Sequence, residues 1–187
     1  MNKLKVVIVA IALLASTVAH AGYQAGNVEH SIIFNNGIAH QVAAAYEYDF
    51  RKGVGLSAFA SKVGDYNNVL VGVAVSPVAG VCFNPSIGFD QSYGMTKSRW
   101  GMTVIGILPL NMSQVVILEH GGSGTYIKSL TTATLNEQVG LTWRAEKGKG
   151  WGPQLDLKVH QNWTVSMTSM YGLTDHPVNL LSFKFQK

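Results

Sequence analysis

The chain predicts an all-β fold: a closed antiparallel up-and-down transmembrane β-barrel, with about 12 short strands by count and about 8–10 possible. Three observations predict it. Period-two alternation of apolar and polar residues recurs through residues 22–187, while helical periodicity is hard to find. The polar faces carry small neutral residues more than Lys and Glu, and charged residues are only 13% of the chain, against roughly 25% in an ordinary soluble domain. Aromatic residues gather near the predicted strand ends.

Residues 1–21 read as an export signal. Lys3 and Lys5 form a positive start, Val6 to Ala15 is an unbroken apolar run, and Ala19 and Ala21 flank His20 at the cleavage positions, leaving Gly22 as the first mature residue. The apolar run is too short for a spanning helix, which needs about 20 residues. No Cys follows it to carry a lipid anchor. Loss of Lys3 and Lys5 lowers the net charge from +4 to +2. The remainder, residues 22–187, suits one domain.

The strands follow in order. Val42, Ala44, Tyr46, Tyr48 and Phe50 share one face, opposite Gln41, Ala43, Ala45, Glu47 and Asp49. Val69, Val71, Val73 and Val75 line one side of the next clear segment, with Leu70, Gly72 and Ala74 on the other. The 77–98 region has no clean pattern. Val139, Leu141, Trp143 and Ala145 oppose Gln138, Gly140, Thr142 and Arg144. Leu155, Leu157 and Val159 oppose Gln154, Asp156, Lys158 and His160. Further strands are predicted over Trp163–Tyr171 and Val178–Phe185. Short breaks separate them: Asn36 with Gly37, Arg51–Gly53, Gly64–Asn68, Leu110–Ser113, Gly121–Gly124, Leu135–Glu137, Lys147–Gly150 and Val159–Trp163. Twelve membrane strands of about 9–11 residues would leave only short loops, and eight with longer loops also fit.

Alternation alone also describes a soluble β-sandwich. The aromatics favour a membrane barrel. Tyr48, Phe50, Trp163, Phe183 and Phe185 fall near one predicted rim, and Trp100, Trp151 and Tyr171 near the other, as two interfacial girdles. An even strand number puts both chain ends on the periplasmic side.

The closing segment Val178–Phe185 alternates apolar residues and ends in an aromatic. It resembles the terminal strand of the small bacterial outer-membrane β-barrels, and Leu155–Met170 resembles their periplasmic hairpins. The resemblance is one of pattern over most of residues 22–187 and assigns no subfamily. It implies residence in the bacterial outer membrane, contact with outer-membrane lipid, and recognition of the last strand by the barrel assembly machinery. Gln186 and Lys187 depart from the family, which usually stops at the aromatic.

Charges on the polar faces are the first candidates for chemistry: Glu47, Asp49, Arg144, Asp156 and Lys158. Inside a closed barrel they must pair or be hydrated. They therefore either fill a salt-bridged lumen or form a charged constriction that filters solutes. In the hairpin centred on Lys147–Gly150, Asp156 is the nearest expected partner of Arg144. His120 and Ser123 form a weaker, catalytic candidate, since a His can activate a Ser hydroxyl. Outer-membrane lipid A deacylases use a His and a Ser two residues apart on one face. Here the spacing is three, which puts the two on opposite faces of a continuing strand, and that family's Asn-containing extension is absent. His30, His40, His160 and His176 lack metal-site spacing, so no metal and no cofactor is expected. Positive charge forms no block, so no nucleic acid is expected. The lone Cys82 excludes an internal disulfide.

These readings predict a non-enzymatic outer-membrane barrel, a small channel or a surface structural or interaction protein. An outer-membrane enzyme acting on lipid A or phospholipid, and a soluble secreted β-sandwich that binds a ligand, are the alternatives. The oligomeric state is not legible.

Overall fold

The alternating segments become twelve strands. A computed structural model describes residues 24–35, 37–51, 53–172 and 177–186, with the side chains of residues 24, 25 and 46–51 outside that description. The export segment 1–21 and Asn36 lie outside the described residues. The strands are β1 (Gln24–Phe34), β2 (Ile38–Arg51), β3 (Val54–Val63), β4 (Tyr66–Val78), β5 (Val81–Ser92), β6 (Met95–Leu108), β7 (Met112–Gly121), β8 (Gly124–Thr134), β9 (Val139–Glu146), β10 (Gly150–His160), β11 (Trp163–Met170) and β12 (Val178–Gln186).

Each strand pairs antiparallel with the next, and β1 pairs with β12 from Asn27 opposite Gln186 to Phe34 opposite Asn179. The sheet is therefore a closed barrel of twelve strands, with no free edge. Closure excludes the sandwich, whose two sheets keep their edges. Both ends of the barrel domain lie on one rim, called here the terminal rim. The far rim carries the turns after β1, β3, β5, β7, β9 and β11.

Burial runs opposite to that of a soluble protein. Among the described residues the buried side chains are mainly polar, including Ser31, Asp90, Arg99, Thr142, Arg144, Gln154 and Ser166. The exposed ones include Val71, Val73, Ile87, Leu141, Met167 and Phe183. Such a surface suits hydrocarbon, and the interior is the polar side.

Two stretches depart most from the sequence pattern. The break predicted over Gly64–Asn68 is a shorter turn at Gly64 and Asp65, because Tyr66 already pairs with Val63 and Asn68 with Ser61. Asn68 is polar because it faces the interior, and polarity alone does not separate a turn from an inward strand position. The unclear 77–98 region is the β4–β5–β6 meander. Pro77 sits at the register shift between Val75 and Val78, and the β4–β5 ladder lapses beside Pro85. Proline lacks the N–H that a continuous ladder needs, so alternation is blurred while the strands persist.

Two inward glycines stand where the backbone of a neighbouring strand comes close. A Cβ at Gly88 in β5 would lie 1.9 Å from the Val69 carbonyl oxygen, and one at Gly152 in β10 would lie 1.9 Å from that of Ser169. Only a residue without a side chain permits these close approaches.

Candidate functional site

The interior holds two ionic clusters, each assembled by strand register. The first lies along β4–β7. Register sets Asn68 opposite Asp90, Gly88 opposite Arg99, and Gly101 opposite Glu119. The glycines leave room for the long side chains to meet. Arg99 Nη1 donates to Asp90 Oδ2 at 2.8 Å, and Arg99 Nε donates to Glu119 Oε2 at 2.7 Å. Ser123, in the turn after β7, donates to Asp90 at 2.6 Å and accepts from Arg99 at 2.9 Å. Asn68 donates to Glu119 at 3.3 Å and accepts from Ser61 at 2.6 Å. The Arg99 guanidinium also stands 5.9 Å from the Tyr66 ring centroid. All three charges are buried, so each must be matched in place.

The second cluster fills the wall formed by β9–β12. Arg144 donates twice to Glu146, at 2.6 and 3.1 Å, and once to the Gln154 carbonyl oxygen at 3.3 Å. Lys149 reaches Glu146 and Gln41. Asp156 accepts from Thr142 and Gln154, each at 2.7 Å, and from Ser166. The expected Arg144–Asp156 pair is therefore not formed. Register places Gly152 opposite Arg144 and Gly140 opposite Asp156, and Gln154 stands between the two charges. Arg144 turns to the Glu146 carboxylate on its own strand face.

What is left is an eccentric lumen of about 840 Å³. Its lining runs from Asn27 and Gln186 at the terminal rim to Ser123, Lys147 and Gly148 at the far rim. It draws on β1–β8, with Glu146 and the turn after β9, and with Lys184 and Gln186 of β12. Thr142, Arg144, Gln154, Ser166 and Thr168 do not line it, because their network occupies the side of the barrel made by β9–β11.

No family model and no curated protein matches the chain. Solved structures do match. The KdgM porin in complex with disordered oligogalacturonate has a TM-score of 0.62 at 12% identity, over 85% of this chain and 98% of that one. The KdgM porin has a TM-score of 0.61 at 11% identity, again over 85% and 98%. The NanC porin, in a rhombohedral crystal form, has 0.56 at 10% identity, over 85% and 97%. The chain has a small-porin fold. At such identities the likeness speaks for the fold alone.

Within that fold the sequence-derived residues separate. Arg144 and Asp156 belong to the filled side, while Lys158 is exposed at the end of β10, beside a bulge. The side chains of Glu47, Asp49, Tyr48 and Phe50 lie outside the described residues. Trp163, Phe183 and Phe185 face outward near the terminal rim, with Trp163 and Phe185 packed at 5.1 Å between ring centroids. Trp100, Trp151 and Tyr171 lie near the far rim. His120 is on the outer face, 5.8 Å from the Trp100 ring and bonded to Thr125 at 2.8 Å. Ser123 points inward to Asp90 and Arg99, so the wall stands between His120 and Ser123.

The pattern does not single out Asp90, Arg99, Glu119, Glu146 or Lys128. Each occupies an inward phase of its strand, and that phase is the signal that could have found them. It is masked on β6–β8 because both faces there are apolar: Ile105, Val115, Ile117 and Leu130 point inward, while Val104, Val116, Leu118 and Ile127 point outward. Register also joins His30 and His40 on the outer face, with ring nitrogens 3.2 Å apart. Among the described residues no third metal-ligating side chain completes a cluster there.

Proposed function

We propose that the protein is a channel of the bacterial outer membrane that passes small solutes through its eccentric lumen. The single observation that carries the reading is the cavity of about 840 Å³ whose lining reaches both rims. Barrels of about 8 strands are filled by their own side chains, and those of about 16–18 hold open aqueous channels. Twelve strands with the β9–β11 side packed leave a restricted passage between these cases. The outward apolar surface and the signal-like segment 1–21 support the location, and the terminal rim then faces the periplasm. Outer-membrane lipid contacts the apolar band, and the assembly machinery engages β12. One fold neighbour is a porin in complex with an oligogalacturonate; this supports solute passage and does not carry that solute over to this chain.

The test is conductance. Purified protein, shown to be folded by different migration of heated and unheated samples in detergent gels, is added to planar lipid bilayers. Discrete current steps are expected. Folded protein that inserts without conducting would replace the channel by a structural or interaction role.

A further inference from the structure

The lumen wall is chemically lopsided. Ile105 stands opposite Val115 and Val115 opposite Leu130, with Ile117 the next inward residue along β7. Phe59 and Leu70 line the same cavity from β3 and β4. Purely aqueous passage gives no reason to concentrate aliphatic side chains on three adjacent strands, since water against such a surface is unfavourable. An apolar ligand body that displaces this water is stabilised by the exchange.

Lys128 adjoins this patch. It faces inward on β8, opposite Ile117 across the strand and two positions from Leu130. Among the described residues it makes no hydrogen bond and no ion pair, whereas Arg99, Arg144 and Lys149 are all bound to carboxylates. Among the described acids nearby, Glu119 is held by Arg99 and Glu146 by Arg144 and Lys149, while Glu29 accepts a hydrogen bond from Ser31 and keeps a charge that Lys128 and Lys184 offset only at a distance. A lysine that faces a cavity with no hydrogen-bond acceptor among the described residues favours an anion that can accept its protons.

We propose that the lumen contains a binding site for an organic anion with an apolar body, an aromatic or short-chain carboxylate. Its carboxylate lies on Lys128 and its body on Ile105, Val115, Ile117 and Leu130. The proposal deepens the channel reading, on which it rests for the ligand's route in. A charged sugar presents hydroxyl groups to the aliphatic wall and loses water there without replacement, so it fits the same charge poorly.

The probe is benzoate, titrated calorimetrically into the folded protein in lipid nanodiscs. Galacturonate is the anion without an apolar face, and benzyl alcohol the ring without a charge. Benzoate is expected to bind more tightly than either. Lys128→Met, close to the native length, is expected to weaken benzoate about tenfold or more by removing a charged hydrogen bond. Lys128→Arg keeps the charge and is expected to retain binding. Leu130→Asn is expected to weaken benzoate while leaving the gel migration of the folded barrel unchanged. Unchanged benzoate affinity in Lys128→Met, or galacturonate binding as tightly as benzoate, overturns the site. Bilayer recordings on the same preparations separate the two readings. Conductance without benzoate binding refutes the site and leaves the channel. Benzoate binding that depends on Lys128, without conductance, keeps the site and refutes the channel.

Discussion

Ser123 donates a 2.6 Å hydrogen bond to Asp90, across 33 residues of chain. Through it the turn after β7 is tied to the end of β5, and Arg99 braces both groups from between them. Asp90→Ala removes a buried carboxylate, leaves the Ser123 hydroxyl without its acceptor and leaves Arg99 with Glu119 as its one ion-pair partner among the described residues. The expected loss is about 3–5 kcal/mol in urea unfolding from phospholipid vesicles. Ser123→Ala is expected to cost about 1 kcal/mol. Similar losses for both would show that the ionic pair is not the anchor. Neither Ser123→Ala nor His120→Ala is expected to alter lipid A composition by mass spectrometry, because the barrel wall separates the two side chains.

The filled β9–β11 side bounds the passage. Gln154 and Thr168 are buried, and Thr168 donates to the Gln154 carbonyl oxygen at 3.0 Å. Gln154→Ala with Thr168→Ala is expected to lower stability by about 1–3 kcal/mol and to raise single-channel conductance, since the vacated space adjoins the lumen. An unchanged current from a folded double variant would show that the passage does not run beside this wall.

Leu141 and Thr142 are neighbours in sequence and strangers in environment: 47% and 2% exposed. In a Cys82→Ser background, a labelled cysteine at 141 is expected to be quenched by lipid-attached probes and to resist aqueous thiol reagents. A cysteine at 142 should show no lipid contact. Quenching at 142 together with protection at 141 would invert the barrel.

Phe185 faces outward beside Trp163 and pairs with Val28 across the β1–β12 closure. Phe185→Asp places a charge on the lipid-facing surface, at a cost of up to a few kcal/mol depending on depth. It also removes the aromatic that the assembly machinery is proposed to read. Membrane levels are expected to fall several-fold in immunoblots, and wild-type levels would remove the assembly role.

The alternation of Val139–Ala145, of Gln41–Ala45 and of Val69–Val75 determined which side chains point outward and which inward. Period two is a property of each extended residue and needs no partner. The turn residues determined most strand limits. The 77–98 region was obscured because Pro77 and Pro85 break the ladder locally while neighbouring strands hold the backbone in place.

Tertiary structure alone decided who meets whom. Arg144 faces Gly152 and bonds to Glu146, Ser123 reaches Asp90, His30 meets His40, and Lys128 faces the lumen two positions from Leu130. Alternation states a phase but not a register, and register depends on turn length, bulges and the stagger that closes β1 onto β12. The eccentric lumen follows from the same cause. The sequence determined a polar interior, whereas the closed ring determined that the β9–β11 side would be packed by side chains and the rest left open, because only closure brings strands far apart in the chain to face each other across the barrel.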